Sequence, residues 1–317
     1  VNSDAADAYP IAGFTWILIY KNQKSPVKGK AIVAFLKWAI TEGQKYAAEL
    51  GYAPLPGELV PMIQYLKAKG ATVLFNSDAI TLTLPRARQL IESGLDEYRV
   101  SMDAATRDTY LKIRGVDRFD RVVGNVQTLV DLQRTLERLA PRVSLWFTAM
   151  RANLEELPAF VRLAEKIGVP EVYVQRLVFY GQGLAVQEQS LHGSLQQREQ
   201  QLIEEALRLA RTAGIALRAS GLTAPLESLT GTGAEGRPWA GCQRPWTLSY
   251  VTANGNVLPC CIAPWVAKDY SGAILGNAFD QRFADVWNGE RYQRFRADFE
   301  SDTAPDPCRG CGRLWSI

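Results

Sequence analysis

The residues of this sequence best suited to chemistry are its cysteines. There are five, Cys242, Cys260, Cys261, Cys308 and Cys311, and the first 241 residues contain none. Disulfides stapling a secreted fold are more often spread across it, so a local cluster points to a thiolate metal site in a reducing compartment, the cytoplasm. Cys308-Arg-Gly-Cys311 is a C-x2-C pair of the kind that ligates metal. Sets of thiolates suit zinc or an iron–sulfur cluster. Zinc ribbons use two close pairs, whereas one is present here, and that favours iron–sulfur. The single histidine, His192, falls in a loop and is expected to face solvent; without a second histidine, histidine-based metal or triad chemistry has no support.

A chain of 317 residues, 47% hydrophobic and 22% charged, is long enough to bury a core in one or two domains. A net charge of +3, with acidic and basic residues interleaved, argues against nucleic acid as the partner. No apolar run approaches the ~20 residues that span a bilayer. The sequence starts at Val1 with no basic leader or cleavage site, so no signal peptide is expected.

Two rhythms organise the chain before the cysteines. Phe14 to Tyr20 reads as a buried strand and Lys28 to Leu50 as an amphipathic helix stopped by Gly51. From Glu58 to residue 219, helices ending at Gly70, Gly94, Gly168 and Gly214 alternate with short apolar strands at Thr72–Phe75, Glu97–Ser101, Arg142–Thr148, Glu171–Gln175 and Ile215–Ala219. Ser194 with Gln197 is expected to cap the last of these helices. Alternation of this kind predicts a parallel α/β sheet, whose ligands bind just beyond the C-terminal ends of the strands. Residues 220–240, rich in Gly, Thr and Pro, read as a linker. Beyond it, Asn254-Gly255 between apolar runs predicts a β-hairpin with both turn residues at positive φ. No internal repeat is visible.

Several motifs in residues 241–317 resemble the SPASM or twitch region of radical S-adenosylmethionine enzymes. They are Cys242-Gln-Arg-Pro-Trp246, Asn254-Gly-Asn-Val-Leu-Pro-Cys260, Leu275-Gly-Asn277, Val286-Trp-Asn288 and Cys308-Arg-Gly-Cys311. The resemblance implies one auxiliary 4Fe-4S cluster held by Cys242, Cys260, Cys308 and Cys311. The Gly255-x4-Cys260 spacing selects Cys260, leaving Cys261 as a small buried neighbour.

Residues 58–219 resemble the later part of the radical S-adenosylmethionine partial barrel, through Gly70, Asn76, Ser101-Met-Asp103, Thr106, Tyr110, Ile113-Arg-Gly115 and Asn153. The implied fold is α/β, an incomplete partial (βα) barrel with a small C-terminal α+β cluster-binding module. The implied S-adenosylmethionine contacts are Ser101 and Asp103, with Arg114, Asn153 and Gln175 nearby. The family's C-x3-C-x2-C loop is missing, since no cysteine precedes Cys242. The Gly-Gly-Glu-Pro loop is also missing unless Gly57-Glu58 is its remnant. This chain is therefore expected to be inactive by itself, although its family modifies peptides or proteins. The alternative is a non-catalytic metal-binding module acting through partners.

Tyr9-Pro-Ile-Ala-Gly13, Lys28-Gly-Lys30, Phe35-Leu-Lys-Trp38, Thr41-Glu-Gly-Gln44 and Leu50-Gly-Tyr-Ala-Pro-Leu-Pro56 resemble the C-terminal segment of periplasmic phosphate-binding proteins of ABC transporters. The resemblance covers residues 1–56 and implies a packing unit with no phosphate site. It suggests a chimera joined near Leu55-Pro-Gly-Glu-Leu59, and a phosphate-binding protein fragment of an ABC transporter is the further alternative for its function.

Overall fold

The structure is a computed structural model that describes residues 59–309 apart from 180–182, 222, 231–238 and 240–241. The strand and helix expected within residues 1–56, the phosphate-binding-protein resemblance there and Cys311 all lie outside the described residues. The described residues divide between two compact units, one within Glu58–Gly241 and one within Cys242–Gly310.

In the first unit, helices alternate with strands. Helix α1 (Leu59–Ala68) leads to β1 (Leu74–Ser77), and α2 (Leu84–Glu92) to β2 (Glu97–Ser101). Helices α3 (Arg107–Arg114) and α4 (Phe119–Thr135) precede β3 (Arg142–Ala149). Helix α5 (Leu157–Ile167) precedes β4 (Glu171–Arg176), and α6 (Gln197–Ala213) precedes β5 (Ala216–Ala219). Among the described residues the five strands form one parallel sheet in the order β1-β2-β3-β4-β5. Glycines end these helices because they accept a left-handed conformation without a Cβ penalty: Gly168 (φ 75°) and Gly214 (φ 67°) cap α5 and α6.

The two faces of the sheet differ. Val100, Leu145, Phe147, Val172 and Val174 are buried with Val126, Leu129, Phe160 and Ile203 of the helices in one apolar core. Alternation sends the other set of side chains to the opposite face. There the register places Ser101, Trp146, Tyr173 and Arg218 in one row across four strands. Trp146 and Tyr173 stack with ring centroids 4.1 Å apart, and Arg99 lies 4.7 Å from the Trp146 ring. At the N-terminal end of the same face, Arg142 bridges Glu97 (2.9 Å) and Glu171 (2.7 Å). Burial pushes Glu97 up, but Arg99 and Arg142 outweigh it and hold the carboxyl below its ordinary value.

Three local expectations need correction. Helix α6 is capped by Glu199, whose carboxylate accepts from the Gln196 N–H (2.7 Å), whereas Ser194 turns its hydroxyl to the Ser190 carbonyl (3.2 Å). Within residues 220–240, Pro225–Thr230 forms a further helix, α7, that buries Ser228 and Leu229. Its Gly- and Thr-rich flanks disguise one turn of helix as linker. The third concerns the hairpin of the second unit, where among the described residues only Gly255 of the predicted pair has positive φ (82°). Thr252 accepts from the Gly255 N–H and donates to the Asn256 carbonyl, so three residues close the turn with Gly255 as a left-handed bulge.

That hairpin joins β6 (Tyr250–Val251) to β7 (Asn256–Leu258), and β8 (Gly276–Asn277) completes an antiparallel sheet. Its motifs interlock physically. A Cβ at Gly255 would meet Asn277 Oδ1 at 2.5 Å, and one at Gly276 would meet Val286 at 2.6 Å. Asn277 donates to the Asn254 carbonyl (2.9 Å). Arg296 donates to the carbonyls of Pro245 and Trp287 (both 2.9 Å) and lies over the rings of Trp287 and Tyr292.

Glu97→Gln is expected to destabilise the protein by roughly 1–2 kcal/mol near neutral pH, since it removes a buried carboxylate from two arginines, one of them half exposed. A depressed carboxylate contributes stability above its unfolded value of 4.5 and loses it as pH falls through the lower folded value. Urea unfolding from pH 7 to pH 3 therefore should show the gap between wild type and variant narrowing below about pH 4.5.

Candidate functional site

Strand β2 ends at Ser101, and Asp103 then turns left-handed (φ 62°), a conformation that Asp tolerates better than most residues. This points its buried carboxylate back at the neighbouring strand. One oxygen accepts from the Thr148 N–H of β3 (2.7 Å), and the other pairs with Arg114 at the end of α3 (2.7 Å). Burial pushes Asp103 up from its ordinary value, while Arg114 and the Thr148 hydrogen bond pull the other way. Tyr110, fully buried and near Arg114 and Asp103, carries a hydroxyl with no hydrogen-bond partner.

Asn153 completes the cluster. Its amide donates to the carbonyls of Asp103 (2.9 Å) and Thr148 (3.0 Å), and its oxygen accepts from the Met150 N–H (2.9 Å). The side chain is 2% exposed and its donors are fully used. Ser101 and Gln175 differ. Both are half-buried on the polar face, and neither side chain makes a hydrogen bond among the described residues. Five candidates thus fall at the C-terminal strand ends in two roles. Asp103, Arg114 and Asn153 hold the strand ends together, and Ser101 and Gln175 offer free polar groups.

Glu156 belongs to the same region without having been expected there. It accepts from the Ala105 and Thr106 N–H groups (2.7 and 3.1 Å) and from the Thr106 hydroxyl (2.5 Å), capping α3 from about 50 residues away. Burial pushes its carboxyl up, but the Thr106, Thr109 and Ala105 hydrogen bonds hold it below its ordinary value. Nothing in the local sequence signals that contact. His192, expected in solvent, is half-buried beside Arg176 because α7 covers its loop: Gly193 donates to the Leu229 carbonyl (2.9 Å).

In the second unit none of the four described cysteines is in a disulfide. The backbone of Arg244 acts on the Cys242 sulfur, and the backbones of Ile262 and Ala263 on that of Cys260, each favouring the thiolate. Arg244 acts electrostatically on both. Burial pushes both thiols up, while these N–H groups and the guanidinium favour the thiolate. Backbone N–H groups aimed at sulfur are the donors that a metal-bound thiolate accepts from, so these two residues fit a cluster. Cys308 is half-buried in the short helix Asp306–Arg309. Cys261 is exposed, contrary to the buried neighbour expected, because the turn after β7 directs Cys260 towards the small core of Leu258 and Ala263. Among the described residues no three potential ligands are gathered for a metal; Cys311 lies outside them.

Comparison with known proteins bears on this unit first. Residues 242–312 match the family model SPASM, an iron-sulfur cluster-binding domain. The C-terminal unit is a SPASM domain. A probable GTP 3',8-cyclase of Saccharolobus solfataricus is 34% identical over 133 residues, 42% of this chain and 41% of that protein. The PqqA peptide cyclase of Granulibacter bethesdensis is 24% identical over 230 residues, 71% and 55% respectively. The chain therefore spans about half the length of the curated relatives it matches. Among solved structures, SuiB of Streptococcus suis bound to S-adenosylmethionine superposes with a TM-score of 0.59 at 15% identity over 81% of this chain and 57% of SuiB. The anSMEcpe enzyme with bound AdoMet and Cp18Cys peptide gives 0.51 at 13%, over 83% and 72%. These likenesses show the fold alone, a parallel α/β partial barrel followed by the small antiparallel SPASM module.

Asn153→Ala should cost roughly 2–4 kcal/mol in urea unfolding, because it orphans three buried backbone groups at once. Gln175→Ala, which breaks no hydrogen bond, should stay within about 0.5 kcal/mol of wild type.

Proposed function

We propose that this chain acts in peptide or protein modification of the radical S-adenosylmethionine type, with its SPASM domain holding one auxiliary 4Fe-4S cluster. One observation carries the reading: the amide-to-sulfur donors of Cys242 and Cys260 lie in a SPASM domain that follows a partial barrel with free polar groups at its strand ends. Cys308 and Cys311 complete the ligand set. When bound, the cluster supplies a one-electron redox centre. The protein's own part is to shield it through the burial of Cys260 and to favour thiolate through the backbone donors.

S-adenosylmethionine binds at the C-terminal ends of β2 to β4. Ser101 and Gln175 contact it, and Asp103, Arg114 and Asn153 fix the backbone from which they project. Relatives that act on or bind peptides, the PqqA cyclase and anSMEcpe, support a peptide substrate over a nucleotide. No helix among the described residues is long and apolar enough to cross a membrane, and the reduced thiols suit the cytoplasm. These 317 residues have no cysteine before Cys242, so as this chain they do not cleave S-adenosylmethionine.

Anaerobic reconstitution of the full chain should give about four irons per chain and a cluster signal in electron paramagnetic resonance, with both reduced in Cys308→Ser. No 5′-deoxyadenosine should form. One zinc per chain without a brown chromophore, about eight irons, or deoxyadenosine would overturn the reading.

A further inference from the structure

The arginines of the first unit that leave the surface come with carboxylates. Arg99 pairs with Glu97, Arg114 with Asp103 and Arg151 with Glu199. Arg176, half-buried at the end of β4, breaks that pattern. No carboxylate lies within ion-pair distance of it among the described residues, and its buried Nε, like those of Arg99 and Arg114, makes no hydrogen bond. Arg296 of the SPASM domain also has no carboxylate and leaves its buried Nη2 unpaired, but it donates to two carbonyls and lies over two rings. Arg176 has instead the imidazole of His192, both of whose nitrogens lie 3.5 Å from Nη1.

A partly buried guanidinium facing an imidazole is electrostatically incomplete. Removing a cation from water without a counter-ion is costly, and a second cation beside it would add repulsion. The cationic form of each is disfavoured, although the guanidinium stays charged. Burial lowers Arg176, and burial together with Arg176 lowers His192, against the opposing carbonyls of Ser228 and Leu229. The place is informative as well. The Arg176 N–H donates to Ser220 Oγ (3.1 Å) just beyond β5, and the guanidinium lies beside Gly221, so the pair sits at the C-terminal ends of two adjacent parallel strands. Ligands of open parallel sheets bind at that end.

We infer that Arg176 and His192 form an anion-binding pair that takes a carboxylate carried by the peptide substrate. One guanidinium beside an imidazole matches a single negative charge, and its planar fork matches two coplanar oxygens. A phosphate would keep about half its charge uncompensated. The anion site stands on the geometry alone; its assignment to a peptide rests on the function proposed above.

His192 is the only histidine among the 317 residues, which gives the pair its own reporter. The full chain, purified without a histidine tag and labelled with 13C-histidine, should show one imidazole Cε1–Hε1 resonance. Three peptides are titrated: one containing Glu with both ends capped, its Gln counterpart with a free C-terminal carboxylate, and the Gln counterpart fully capped. A carboxylate at Arg176 should move the resonance and raise the His192 titration midpoint by about one unit. Whichever carboxyl peptide does so identifies a side chain or a C-terminus as the source, and the neutral peptide should have no effect. Arg176→Gln should abolish the response and Arg176→Lys should weaken it, while the wild-type titration is decisive without either variant. An unmoved resonance, equal shifts with the neutral peptide, a full response in Arg176→Gln, or a response to S-adenosylmethionine but to no peptide would overturn the inference. Iron content and S-adenosylmethionine binding would then still be judged by their own measurements.

Discussion

The strand ends of the parallel sheet depend on one buried carboxylate. Asp103 leaves β2 in a left-handed conformation and reaches the Thr148 N–H of β3 and the guanidinium of Arg114. Its own carbonyl accepts from Asn153, which also holds Thr148 and Met150. The end of β2, the end of α3 and the segment from Thr148 to Asn153 are therefore tied at one point. The tie has an electrostatic cost, visible in the raised Asp103, and Arg114 and the backbone N–H offset it. This arrangement leaves Ser101 and Gln175 free of structural duties and held on a firm backbone, which is what a binding residue requires.

The polar face of the sheet is graded along the strands. At the N-terminal end, Arg142 lies between Glu97 and Glu171 and the charges cancel. In the middle, Trp146 and Tyr173 stack. At the C-terminal end the polar groups are less fully satisfied: Ser101 and Gln175 on this face make no side-chain hydrogen bond among the described residues, and Arg176, on the opposite face beside His192, has no carboxylate there. The SPASM domain repeats the same logic with sulfur. Its glycines and asparagines shape a small sheet, and the turn after that sheet aims backbone N–H groups at Cys260.

Much of this was legible from the sequence because its cues are local. Helix stops at Gly168 and Gly214, the apolar strands and the ordered motifs around Cys242 and Cys260 each announce themselves within a few residues. The contacts that escaped reading are the non-local ones. Glu156 caps α3 across about 50 residues, and Arg176 meets His192 where α7 contacts Gly193. Asn153 was readable as a polar residue after a strand, but its commitment to three backbone groups was not. Helix α7 was missed because six residues between Gly-rich flanks give too short a period to detect. Cys261 was misjudged because the direction of neighbouring side chains in a turn depends on backbone angles that composition does not reveal.

The order of the sheet has a consequence for how the molecule is made. Among the described residues every strand pairs with its immediate successor in the chain, from β1 to β5. During synthesis each emerging strand therefore finds its partner already complete and lying at the growing edge. No strand has to wait for a later one to be inserted between itself and its neighbour. A ribosome can lay down such a sheet in one direction, each crossover helix closing over the previous addition before the next begins.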